Sequence, residues 1–153
     1  GRGSCFTVTL PRLARETVAA PAGAGSIHTP RCSLDVLVVD DNRDAAEMLK
    51  LLLQAAGHCV RVAYDPHQAL ALAVAQPPEV GLIDIGLPVM DGHELVRRLR
   101  AQPATANAVY MALTGYGQEL DRSTALAAGF DEHLVKPADP DHLLALLDRV
   151  RRA

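Results

Sequence analysis

A chain of 153 residues, 49% of them hydrophobic, has the material for one ordinary domain with a sizeable core and a tail beside it. A formal net charge of −3 gives no general attraction to a phosphate backbone, so nucleic acid is not an expected partner. Apolar runs stop well short of the ~18 residues of a membrane span and the N-terminus lacks a signal-peptide pattern, which predicts a soluble, cytoplasmic chain without membrane contact.

Near the N-terminus Phe6, Val8 and Leu10 alternate with Thr7 and Thr9, the period of a strand with one buried face. From Glu16 to Arg31 the composition turns to Ala, Gly, Pro, Ser and Thr without apolar periodicity, which predicts a flexible linker. The expected organisation is a strand-bearing piece over 1–15, a linker over 16–33 and a domain over 34–153. Cys5, Cys32 and Cys59 are odd in number and far apart, so neither a disulfide framework nor a zinc site is expected, and a reducing compartment fits.

The domain opens with the β-branched run Leu34 to Val39, which ends in Asp40-Asp41-Asn42. A helix is predicted from Arg43 to Ala56, with Ala45, Leu49, Leu52 and Leu53 inward and Gly57 as its stop. Cys59 to Ala63 alternates as a second strand with no reactive group at its end. Asp65-Pro66 caps a helix over Gln68 to Ala75 that Pro77-Pro78 terminates. Val80 to Asp84 reads as a fully buried third strand broken by Gly86 and Pro88. After the turn signal Asp91-Gly92, a helix from His93 to Arg100 puts Leu95, Val96 and Leu99 inward and Arg97, Arg98 and Arg100 toward solvent. Ala108 to Leu113 forms the fourth strand and delivers Thr114, with a further helix expected over Gln118 to Ala128. A fifth strand within Phe130 to Val135 runs into Lys136-Pro137, and the last helix, Asp141 to Arg152, buries Leu143, Leu144, Leu147 and Val150.

Strand and helix alternate five times, which predicts an α/β fold with a parallel sheet and helices on both faces. Four of the five strands end in a residue with reactive potential: Asp40 and Asp41, Asp84, Thr114 and Lys136. The second strand is the exception, as a flavodoxin-like order 2-1-3-4-5 would have it, because that order puts this strand at the rim. Three carboxylates sharing one cleft repel one another by about 3 kcal/mol per pair at ~5 Å and an effective dielectric of about 20, so they need a cation or must take up protons. Oxygen ligands favour Mg²⁺ over zinc or copper.

From Leu34 onward, about four-fifths of the chain, these residues resemble the receiver domain of two-component response regulators. The acid pair falls on Asp40-Asp41, the phosphoacceptor on Asp84 in the stretch from Asp84 to Gly92, the switch hydroxyl on Thr114 and the lysine on Lys136; Thr114 follows Asp84 by 30 residues and Lys136 follows it by 52. The resemblance implies Mg²⁺ held by Asp40, Asp41, Asp84 and a backbone carbonyl near Gly86, and a cis peptide at Lys136-Pro137. It also implies phosphoryl transfer from a phosphohistidine to Asp84, slow self-dephosphorylation, and a switch of the surface built from the fourth helix, fifth strand and fifth helix. Receivers often carry Tyr or Phe three residues before the lysine; here His133 stands there, and its imidazole would make that motion sensitive to pH.

The stretch Gly1 to Pro11 resembles the last glycine box and final strand of a sensor histidine kinase's ATP-binding domain. Together with the few residues after the last helix, this points to the C-terminal receiver of a hybrid histidine kinase. The implied partners are that kinase's histidine domain or a histidine phosphotransfer protein, with a weak homodimer allowed. The alternative is a pseudo-receiver that binds partners without phosphorylation, though no acid or lysine of the pattern is lost. An aspartate-nucleophile phosphatase would show Asp-x-Asp, whereas Gly86 occupies the second position.

Overall fold

Five short apolar runs pair into one parallel sheet: β1 (Asp35–Val39), β2 (Cys59–Ala63), β3 (Val80–Asp84), β4 (Val109–Thr114) and β5 (Glu132–Val135), in the order β2-β1-β3-β4-β5. The structure, a computed structural model, describes residues 33–115 and 127–152. The strand and linker expected before residue 33, and nearly all of the helix expected over Gln118 to Ala128, lie outside the described residues.

Helix α1 (Arg43–Ala55) follows β1, α2 (Pro66–Ala75) follows β2 and α3 (Gly92–Arg100) follows β3, while the last helix, Pro140–Arg152, follows β5. Each start is specified locally. Asn42, Asp65 and Asp91 accept main-chain N–H groups of the first turns of α1, α2 and α3, and Asp139 Oδ1 accepts from His142 N at 2.8 Å. None of these helices is long and apolar enough to cross a membrane.

The two-residue period of the strands divides the core. Leu37, Val39, Ile83, Tyr110 and Ala112 face one side with Ala69, Ala73, Leu95, Val96 and Leu99 of α2 and α3. Val36, Val38, Leu82, Met111, Leu113 and Leu134 face the other with Ala46 and Leu53 of α1 and Leu143, Leu146 and Leu147 of the last helix. Both faces are covered, which is why β3 is buried at all five positions. Each fully buried leucine contributes about 2 kcal/mol of transfer free energy.

Four expectations are corrected. On α1 the fully buried small residue is Ala46, with Ala45 at the margin, and on the last helix Leu146 joins Leu143 and Leu147 inside while Leu144 and Val150 are only partly buried. Both corrections concern the margins of a buried stripe whose centre, Leu53 on α1 and Leu143 and Leu147 on the last helix, lies where it was expected. Arg100 does not face solvent: its guanidinium donates to the carbonyls of Ala106, Ala108 and Gly129 and to Asp131, and lies 4.7 Å over the Tyr110 ring. It closes the end of α3 onto the starts of β4 and β5. Lastly, Cys59 is disulfide-bonded.

Candidate functional site

The register brings the strand ends together. Val39 pairs with both Ala63 and Ile83, Asp84 with Leu113, and Thr114 with Val135, so the residues that follow β1, β3, β4 and β5 share one edge. Asp40 is wholly buried there; its Oδ1 accepts from Asn42 N at 2.9 Å and its main-chain N–H donates to Ala63 O at 3.1 Å. Asp84, 8% exposed, accepts from Gly86 N at 3.0 Å through Oδ1. Asp41, next along the chain, is exposed. One oxygen from each of Asp40, Asp41 and Asp84 falls within 4.8 Å of the others.

Lys136 stands opposite. The cis Lys136-Pro137 peptide follows β5, the Lys136 N–H donates to Thr114 O at 2.7 Å, and Nζ reaches Asp40 Oδ2 at 2.6 Å and Asp84 Oδ2 at 2.9 Å. Burial by itself would push the Lys136 pKa down, but the hydrogen bonds and charges of Asp40 and Asp84 outweigh it and hold the ammonium above its ordinary range. The ammonium is the one close polar partner of Asp40 Oδ2 among the described residues. One ammonium also leaves the charge of three carboxylates mostly unbalanced. An oxygen-only donor set that stays net negative with the ammonium in place fits a hard divalent cation.

Of the residues singled out from the sequence, Asp40, Asp41, Asp84 and Lys136 meet in one cluster. Thr114 is buried at the same edge, with its hydroxyl donating to Leu134 O at 3.4 Å rather than to the acids. Gly86 contributes its N–H to Asp84. His133 lies on β5 in register with Ala112, exposed and apart from the acids.

Two further positions were not legible. A Cβ on Gly92 would meet Asp84 O at 2.5 Å and Ile85 Cα at 2.9 Å, so α3 starts against the backbone of the strand end; the Asp91-Gly92 pair signalled only a turn. Val89 has φ 71 and is 96% exposed, an unusual conformation for a β-branched residue that no sequence pattern announces.

Beside the cluster a groove of about 530 Å³ is lined by Met48, Leu49 and Leu52 of α1 and by Pro137, Ala138 and Pro140. A larger open groove of about 630 Å³ lies at the other end of the strands, by Glu79, Ala108 and Glu132, and touches none of the acids.

Residues 36–148 match the model of the response regulator receiver domain. The chain belongs to that family. This receiver is 39% identical over 116 residues to an uncharacterized 14.6 kDa protein of Leptolyngbya boryana, covering 76% of this chain and 88% of the other. The chemotaxis response regulator CheY4 of Vibrio cholerae superposes with a TM-score of 0.70 at 36% identity, covering 75% of this chain and 96% of that one. The receiver domain of a sensor histidine kinase from Pseudomonas aeruginosa, with a magnesium ion coordinated in its active site cleft, gives 0.71 at 31% identity over 78% and 98% of the two chains. The receiver spans about half the length of curated transcriptional regulators that it matches, 46% of one and 51% of another.

Proposed function

We propose that Asp84 is the phosphoacceptor of this receiver and takes its phosphoryl group from a phosphohistidine. The observation that carries this reading is the reach of Lys136 Nζ to Asp84 Oδ2, 2.9 Å, within a cluster of three acids. Asp40, Asp41 and Asp84 would hold Mg²⁺, with the Gly86 carbonyl as a further ligand. When bound, Mg²⁺ supplies the positive charge that lets an anionic donor approach an anionic nucleophile. Asp84 attacks phosphorus in line, the P–N bond breaks, and the imidazole leaves with the electron pair and takes up a proton. Lys136 offsets charge on the equatorial oxygens.

Thr114 then turns its hydroxyl from Leu134 O, a long 3.4 Å contact that is cheap to give up, toward the new phosphoryl group. That movement, with His133 following, repacks the surface around β5 and the last helix. Hydrolysis of the aspartyl phosphate is slow self-dephosphorylation, since glycine rather than a second acid follows at position 86.

The phosphodonor is the histidine domain of a kinase or a histidine phosphotransfer protein, docked over the groove beside α1. The resemblance of residues 1–11 to a kinase's final strand supports a reading in which the receiver, over 34–153, belongs to a hybrid histidine kinase and follows a linker over 16–33.

Incubation with Mg²⁺ and acetyl phosphate followed by intact-mass measurement tests the assignment. One added phosphoryl group is expected, absent from Asp84→Asn. Persistence in that variant would refute the site, and no gain with any donor would make the domain a non-phosphorylating interaction module.

A further inference from the structure

A second cationic side chain stands at the same edge of the sheet. Asp40 N donates to Ala63 O, so Tyr64, the residue after β2, lies beside the acid pair. Arg43, the first residue of α1, lays its guanidinium 4.3 Å from the centre of the Tyr64 ring. The ring is itself fixed, because Tyr64 Oη donates to Glu47 Oε1 at 2.6 Å while Lys50 Nζ lies 3.0 Å from Glu47 Oε2. Glu47 is therefore occupied. Among the described residues Arg43 has no ion-pair or hydrogen-bond partner, so an oriented guanidinium with all its donors free is exposed at the rim of the cleft.

We infer that Arg43, steadied on Tyr64, is an anion-receiving arm that draws anionic phosphodonors to the cleft. The inference rests on the phosphoacceptor reading above. Its physical basis is charge balance: three carboxylates, Lys136 and one divalent cation sum to zero, so the filled cleft offers a dianionic donor no net attraction. Arg43 supplies the missing positive charge. Asp44 and Asp65 share this rim and outnumber Arg43, so it offers a local, oriented cation rather than a net positive surface, which keeps the effect modest. In the step itself an oxygen of Asp84 forms a bond to phosphorus as the bond from phosphorus to the acetate oxygen breaks, and acetate leaves with the electron pair; Arg43 takes no part in bond making.

The test is the second-order rate of aspartyl phosphate formation from acetyl phosphate with Mg²⁺, followed by intact mass at ionic strengths between about 0.02 M and 1 M. At low salt Arg43→Gln should be slower by about two- to fivefold and Arg43→Glu slower still, with the difference vanishing near 1 M as the screening length falls to about 3 Å. Arg43→Lys should hold the parent rate. Equal rates for the parent and Arg43→Gln at low salt would overturn the inference, as would a deficit unchanged by salt or a lysine variant as slow as the glutamine one. No phosphoryl gain by the unaltered protein would overturn the phosphoacceptor reading and this inference together.

Discussion

At the scale of the single residue, the part Lys136 plays in stability can be read from its pH dependence. In metal-free buffer its ammonium is the counter-charge of Asp40, which is wholly buried, and of Asp84. Lys136→Met should therefore cost about 3 kcal/mol of stability near pH 7, since it strands a buried carboxylate. The folded state holds this proton more tightly than the unfolded chain, whose lysine titrates near 10.5. The contribution is then complete below that value and fades as pH rises through the raised one. Urea denaturation of both proteins should show a constant gap from about pH 7 to 10 that narrows above it; a gap that widens on the alkaline side would contradict the pairing. Val89 offers the opposite sign. With φ 71 and 96% exposure its side chain packs against almost nothing, so Val89→Asn should gain about 1 kcal/mol by relieving the left-handed backbone. An unchanged urea midpoint would mean that the turn stores no strain.

Between elements, the tightest constraint near the site is the seat of α3 on the end of β3. A methyl group at position 92 would sit 2.5 Å from Asp84 O, and both partners are backbone, so neither can step aside alone. Gly92→Ala should cost about 1–3 kcal/mol by overpacking and shift the Asp84 carboxylate from Lys136, so the phosphorylation rate should fall more than stability does. Full acetyl phosphate reactivity in a destabilised variant would show that the strand end is not what α3 positions. The same elements mark what a sequence can disclose. Strand identity and order were legible because apolar runs ended in Asp40, Asp84, Thr114 and Lys136 while β2 ended in nothing reactive, a pattern that the order β2-β1-β3-β4-β5 accounts for by putting β2 at the rim. The start of α2 was legible through Asp65-Pro66, whereas Asp91-Gly92 read as a turn and Asn42 was not singled out. The rest depends on three-dimensional approach. Arg100 read as a solvated helix arginine because nothing local says that the carbonyls of Ala106, Ala108 and Gly129 converge on it. Ala46 and Leu146 were missed because periodicity fixes the centre of a buried stripe, here Leu53, Leu143 and Leu147, more firmly than its edges.

At the scale of the whole molecule, the acids at positions 40, 41 and 84 and the lysine at 136 belong to three strands and their loops, so a cation bound among them clamps segments that are unrelated in the unfolded chain. Such a cation binds the folded state alone and must raise global stability, by about 2.7 kcal/mol at a hundred times its dissociation constant. The same crowding of like charge works against the fold when the cation is withheld. Asp41 is exposed and, apart from its place in the cluster, holds nothing together among the described residues, so Asp41→Asn removes repulsion at little structural cost. The ranking of the two proteins should therefore cross. With chelator, Asp41→Asn should unfold at the same temperature as the parent or slightly above it; with saturating Mg²⁺ the parent should lead by several degrees, because the variant has lost a ligand. Thermal melts of both proteins in each buffer decide the matter. If the variant is the less stable in chelator as well, Asp41 is a structural residue and not one whose charge the fold tolerates for the sake of the metal.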